Sequence, residues 1–279
     1  MKIFQKGKEG LVELKGFKNL NEHITRIIVG TLLFLIVSFF IYKGSLFLML
    51  FLTFISFLGS LEFSKVIKNK IGNENFLPFI IIISLYLPFY YFLPFTSYET
   101  ILIFLLLILF FSLTFFKIGN GIYWTFLFSF LLLYLPFLLS FAIEIREIGK
   151  KPLFYFLFTV LIYDTFAFYI GKFFGKTKLL ERISPNKTLE GFIGGLIAVI
   201  LFNLFSFKFW ELPIPSMPFL SIILPISAQI GDFFESYLKR CLEIKDFSNI
   251  LLSHGGILDR IDSYLFALPI FYLILRITL

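Results

Sequence analysis

Residues 231–263 read GDFFESYLKRCLEIKDFSNILLSHGGILDRIDS. They form a polar island in an apolar chain: one apolar run ends near Phe234 and another resumes at Tyr264. Asp232, Glu235, Ser236 and Lys239 stand at i, i+3, i+4 and i+7, which is one face of a helix. Lys245 and Asp246 follow, then a turn-like His254, Gly255 and Gly256, then Asp259, Arg260, Ile261 and Asp262. A helix beginning at Asp259 points that carboxylate and Asp262 the same way. Paired carboxylates at two helix ends offer hard oxygen ligands to Mg²⁺, and nearby Lys and Arg neutralise phosphate oxygens. In a soluble protein, Glu235–Lys239 and Lys239–Glu243 would be ordinary i,i+4 bridges. Beside membrane segments, where ionisable groups are functional by default, a binding site is the stronger reading.

The chain around this island is built for lipid. Of 279 residues, 58% are hydrophobic and 43 are Phe. Charged residues make up 15%, against about 25% in a soluble domain. The expected fold is therefore an all-α polytopic integral membrane protein, with no polar stretch large enough for a soluble domain. The single Cys241 excludes an internal disulfide and a cysteine-based metal site.

Hydropathy predicts about nine transmembrane helices, near 26–42, 45–63, 76–95, 100–116, 121–143, 153–170, 191–210, 218–235 and 262–279. Residues 1–25 are charged and lack a small-residue cleavage site, so they read as a retained cytoplasmic segment. Residues 26–150 then hold about five spans, and 151–279 form the catalytic region with cytoplasmic loops 171–190 and 236–261. With the N-terminus cytoplasmic, the inner side receives all but six of the 25 Lys and Arg. The six are Lys43, Arg146, Lys150, Lys151, Lys208 and Arg276. That segregation supports the orientation, with Arg146–Lys151 the discordant loop. It also removes the net charge of +7 as a sign of nucleic-acid binding.

A second polar cluster, DTFAFYIGKFFGKTKLLERISPNKTLEG, spans residues 164–191. Asp164 falls about two turns before the loop, within the inner leaflet. A structural bridge to a Lys could hold it, but a cavity shared with the 232–262 cluster is preferred. Gly171 to Thr177 resembles a P-loop but has three residues between its glycines where four are required. The sequon at Asn186 lies on the wrong side of the membrane for glycosylation. Ser184-Pro185-Asn186-Lys187-Thr188 before Glu190-Gly191 reads equally well as a phosphate cradle at a helix N-terminus and as a helix-capping turn.

The two clusters together resemble the phosphatidate cytidylyltransferase (CDP-diacylglycerol synthase) family. The C-terminal signature of that family is matched by Ser236, Lys239-Arg240, Lys245-Asp246, His254-Gly255-Gly256 and Asp259-Arg260-Ile261-Asp262. Its second motif is matched by Ser184-Pro185, Lys187-Thr188 and Glu190-Gly191, with Asn186 where Lys is common. These motifs cover about a third of the chain; the first 150 residues match only in hydropathy. The resemblance implies a nucleotidyltransferase of phospholipid biosynthesis that converts CTP and phosphatidate to CDP-diacylglycerol and pyrophosphate. It implies Mg²⁺, with K⁺ as a second cation, and a homodimer in the inner (plasma) membrane with its active site facing the cytoplasm. By position, Asp232, Asp259 and Asp262 are the expected metal ligands, and Asp232, Asp259, Lys239 and Arg260 the catalytic set. Asp164, Ser184, Lys187, Thr188, Ser236, Arg240, Lys245, Asp246, His254, Gly255 and Gly256 are expected to bind substrate.

The mechanism expected is electrostatic: the lipid phosphate attacks the α-phosphorus of CTP while metal and basic side chains screen the charges. His254 could serve as an acid, although a structural role beside two glycines explains it equally well. The competing readings are another CTP-using lipid enzyme, such as a polyprenol kinase, and a secondary transporter.

Overall fold

The computed structural model describes residues 28–71, 76–93, 97–116, 121–248, 250 and 255–279. The N-terminal segment 1–25 and His254 lie outside them. The described residues form nine apolar helices. They are α1 Ile28–Lys43, α2 Ser45–Ile71, α3 Leu77–Phe92, α4 Ser97–Phe115 and α5 Gly121–Ile148, followed by α6 Lys150–Phe174, α7 Leu189–Trp210, α8 Met217–Cys241 and α9 Leu258–Thr278. Six of them, α2 and α5 to α9, are long and apolar enough to cross a membrane; α1, α3 and α4 are shorter. A helix satisfies its backbone internally, so apolar runs of this length fold this way in hydrocarbon. Many apolar side chains face outward, including Phe205, Ile277 and Phe126. In lipid such a surface faces its own kind of solvent.

Among the described residues, the departure from an all-helical chain is a small antiparallel ribbon between α6 and α7. Strand β1, Lys178–Leu180, pairs with β2, Ser184–Thr188, with Lys178 opposite Thr188. Helical hydrogen bonding also runs further than hydropathy alone marks. Helix α8 continues to Cys241, so Ser236, Lys239 and Arg240 ride on a helix and the following loop shortens to 242–257. Glu243, past that end, has a left-handed backbone (φ 50°), which takes it off the helical i,i+4 spacing from Lys239.

The N-terminal half packs on aromatic rings. Phe79 stacks on Phe116 and Phe128 at centroid distances of 5.1 and 4.3 Å, and Phe76 leans on Trp124. Helix α5 carries a π-helical turn at Leu133–Phe137, where Pro136 removes a backbone donor.

The C-terminal half is a series of antiparallel hairpins. Helices α6 and α7 pack along their length, α8 packs on α9, and α7 lies against α8. Two glycines let helix backbones approach closely. A Cβ on Gly191 would stand 2.5 Å from the Ala167 carbonyl, and one on Gly231 would stand 2.5 Å from the Asp262 carbonyl. Buried polar pairs pin these helices. Tyr155 donates to Asn203 (2.8 Å), Asn203 donates to Ser221 (2.7 Å), and Tyr163 donates to Gln229 (2.8 Å). The consequence is positional: the C-terminal ends of α6 and α8 and the N-terminal ends of α7 and α9 gather at one end of the bundle.

The basic residues that run against the charge bias lie at the other end and are engaged there. Arg146 donates to the Ile41 carbonyl (2.7 Å), Lys151 pairs with Glu211 (2.5 Å) and Lys150 sits over the Tyr42 ring. These local contacts account for cations where the topology rule expects few.

Candidate active site

The two polar clusters meet. Lys187, at the end of β2, makes an ion pair with Asp232 on α8, 45 positions away. The ribbon makes this reach possible by turning the 171–190 loop back over the helix ends. Its base is fixed locally. Thr188 caps α7 by accepting from Gly191 N (3.2 Å), and the Glu190 carboxylate accepts from Lys176 N and Thr177 N. The cap and the candidate phosphate contact are thus neighbouring residues of one segment: Thr188 and Glu190 shape it, and Lys187 projects from it. Arg240 donates from Nε to the Ile183 carbonyl (3.2 Å), joining the end of α8 to the ribbon turn.

Asp259 organises the second loop. Its Oδ1 accepts from Lys239 Nζ (2.9 Å), and its Oδ2 accepts from Gly256 N (2.7 Å) and Phe247 N (3.1 Å). Lys239 also lies 3.4 Å from Glu235 on its own helix. The i,i+4 bridge therefore exists, as the minor partner of a longer-range pair. Gly255 has φ +77°, a conformation glycine adopts without strain. Gly256 is needed for a different reason: a Cβ there would stand 2.8 Å from Glu62 Oε2 and 3.0 Å from Asp259 Oδ2. The backbone passes close to two carboxylates.

Between Asp232 and Asp259 lies a group of acids. Asp164 is within electrostatic reach of Asp232, Asp262 and Lys187. Asp262 is within electrostatic reach of Glu235 and Asp232, and its Oδ1 accepts from Ser263 N (2.7 Å). Both oxygens of Glu235 are buried without a hydrogen bond, and the cation facing them is Lys239, 3.4 Å from Oε2. Carboxylates gathered this closely favour a proton or a cation among them. Among the described residues, no group of three His, Cys, Asp or Glu side chains forms a ready-made metal cage. Mg²⁺ does not need one, since it takes one or two protein carboxylates and completes its shell with phosphate oxygens and water. Asp232 and Asp262, with Glu235 beside them, fit that donor set. Asp259, with its oxygens committed to a lysine and two backbone amides, holds the loop.

The remaining expected residues fall around this centre. Ser236 lies 3.5 Å from Asp232 Oδ1. Ser184 is half-buried at the start of β2. Lys245, Asp246 and Arg260 are exposed at the rim, and His254 is outside the described residues. Glu62, on α2, was absent from the expected set. It lies near the end of a span on the side of the polar loops, and a lone acid in an apolar run was the signal that could have drawn it in.

Fold and site together define a class: a multi-pass helical membrane protein with a mixed acidic and basic cluster where four helix ends converge. The chain belongs to the cytidylyltransferase family, whose model matches residues 24–278. It is 41% identical over 152 residues to the phosphatidate cytidylyltransferase of Aquifex aeolicus, covering 53% of this chain and 56% of the relative. It is 45% identical over 140 residues to the phosphatidate cytidylyltransferase of Bacillus subtilis, covering 48% and 52%. The chain thus spans about half the length of the curated relatives it matches.

Proposed function

We propose that this chain transfers the cytidylyl group of CTP to phosphatidate, releasing pyrophosphate and forming CDP-diacylglycerol. The observation that carries the reading is the Lys187–Asp232 ion pair, which brings the two signature clusters together. A phosphate oxygen of the lipid attacks the α-phosphorus of CTP, and the bond from that phosphorus to the bridging oxygen of pyrophosphate breaks. Because the attacking phosphate is already anionic, the protein's task is to gather anions and stabilise the transition state. Lys187 and Lys239, each held by a carboxylate, present ammonium groups to incoming phosphates. Lys245 and Arg260 at the exposed rim, with Arg240 against the ribbon, raise the local concentration of anionic substrate. Asp232 and Asp262 would hold Mg²⁺, with K⁺ as the second cation implied by the resemblance. Bound there, the divalent ion supplies charge neutralisation on the phosphates.

The test is direct. Purified protein is mixed with phosphatidate in detergent and with CTP labelled either at the α- or at the γ-phosphate. The expected result is α-label in a lipid-soluble product, equimolar pyrophosphate and no γ-label in lipid. A γ-labelled lipid would identify a kinase instead, and no labelled lipid at all would sink both enzymatic readings.

The proposed placement is nine crossings of the plasma membrane as a homodimer, with the N-terminus and both polar loops cytoplasmic. Cys241, the chain's single cysteine, is exposed at the end of α8 beside the site and serves as a native probe. A membrane-impermeant maleimide should label it in inverted vesicles and leave it unlabelled in intact cells. Labelling of intact cells would reverse the orientation.

A further inference from the structure

Glu62 sits on α2, in the half of the chain where the sequence motifs are silent, and is 1% exposed. Its carboxylate accepts from Ile257 N at 3.0 and 2.9 Å through its two oxygens, and from Leu258 N at 3.2 Å. It also accepts from Ser248 Oγ at 2.5 Å. Ile257 is the residue before α9 and has no capping side chain of its own, so Glu62 supplies the cap from 195 positions away. An anion at a helix N-terminus is stabilised by the unpaired amides and by the helix dipole. These amides immediately precede Asp259.

We propose that Glu62 is a positioning residue for the active site: it clamps the start of α9 and the 242–257 loop, and so sets where Asp259, Arg260 and Asp262 point. Two carboxylates grip the same short backbone. Asp259 takes Gly256 N and Phe247 N, Glu62 takes Ile257 N, Leu258 N and the Ser248 hydroxyl, and both lie close to Gly256, where a side chain would meet them. A simple stabilising contact would call for one such acceptor. Two carboxylates accepting from successive amides restrain the segment from 256 to 258 more than one would, which fits a segment that must hold charged side chains in register. The N-terminal helices thereby gain a role in the chemistry without touching substrate.

The catalytic part of this role rests on the cytidylyl-transfer reading; the clamp itself does not. The test uses the full chain in detergent with Glu62→Gln and Glu62→Asp. Gln keeps the shape but offers one acceptor oxygen where the carboxylate offers two. We expect kcat to fall at least tenfold in Glu62→Gln while KM for CTP changes less than threefold. Amide exchange in peptides covering 255–262 should rise at least tenfold, with α6 and α7 unchanged. Glu62→Asp, which keeps the charge, should recover part of kcat. Wild-type exchange in 255–262, or wild-type kcat, in Glu62→Gln would overturn the proposal. So would a uniform rise in exchange across all helices with kcat falling only in step with the folded fraction. Wild-type protein without cytidylyl transfer would refute the functional reading alone, and the exchange measurement would still decide the clamp.

Discussion

Asp259→Asn should reduce turnover to at most about a hundredth of wild type while the protein still inserts and purifies at normal yield. Asp259 is the hub of three interactions: Lys239, Phe247 N and Gly256 N. Removing one partner of a buried ion pair costs about 3–5 kcal/mol, because the other charge is left uncompensated. Each 1.4 kcal/mol borne by the transition state is about tenfold in rate. Asn can still accept from a backbone amide but cannot neutralise Lys239, which is left with Glu235 alone. Since the structure commits Asp259 to the loop, saturating Mg²⁺ should not restore activity. A variant that keeps wild-type turnover at limiting Mg²⁺ would remove Asp259 from both roles, ligand and organiser.

Lys187→Ala should lower catalytic efficiency about ten- to hundredfold, equivalent to about 1.5–3 kcal/mol for a lost charge-assisted contact. The structure sharpens this expectation. Without Lys187, Asp232 faces the charges of Asp164 and Asp262 with its own cation gone. Lys187→Arg should recover only part, since guanidinium differs in shape and hydration from ammonium. If the two clusters form one site, Lys187→Ala and Asp232→Asn combined should cost less than the sum of the separate losses. Unaltered CTP and lipid dependence in Lys187→Ala would divide the clusters and refute the single site.

The helices were legible because lipid imposes one rule, and apolar runs of sufficient length obey it. The shared face of Asp232, Glu235, Ser236 and Lys239 was legible from its spacing, and it lies on α8 as that spacing implies. Partner choice was less so. Periodicity offers Lys239 the carboxylates of its own helix, yet its closest partner, Asp259, comes from α9 across the hairpin. The 184–191 segment read equally as a cradle or a cap. Thr188 provides the cap, and only the ribbon, whose pairing depends on a turn, shows how Lys187 departs from it. Glu62 stood out as a lone acid near the end of an apolar span, but its partners were beyond local reasoning. No spacing rule links a residue on the second helix to a backbone 195 positions on.

That distance also has a consequence during synthesis. Helix α2 enters the membrane carrying a carboxylate whose donors have not yet been made. At about 5–20 residues per second, they follow about 10–40 s later. Until α9 arrives, Glu62 holds an acceptor whose backbone donors at 257 and 258 are not yet made. Helices α2 and α9 are therefore partners made far apart in time. A chain cut short before α9 would leave its first helices incomplete and expose that defect to the cell's quality-control proteases.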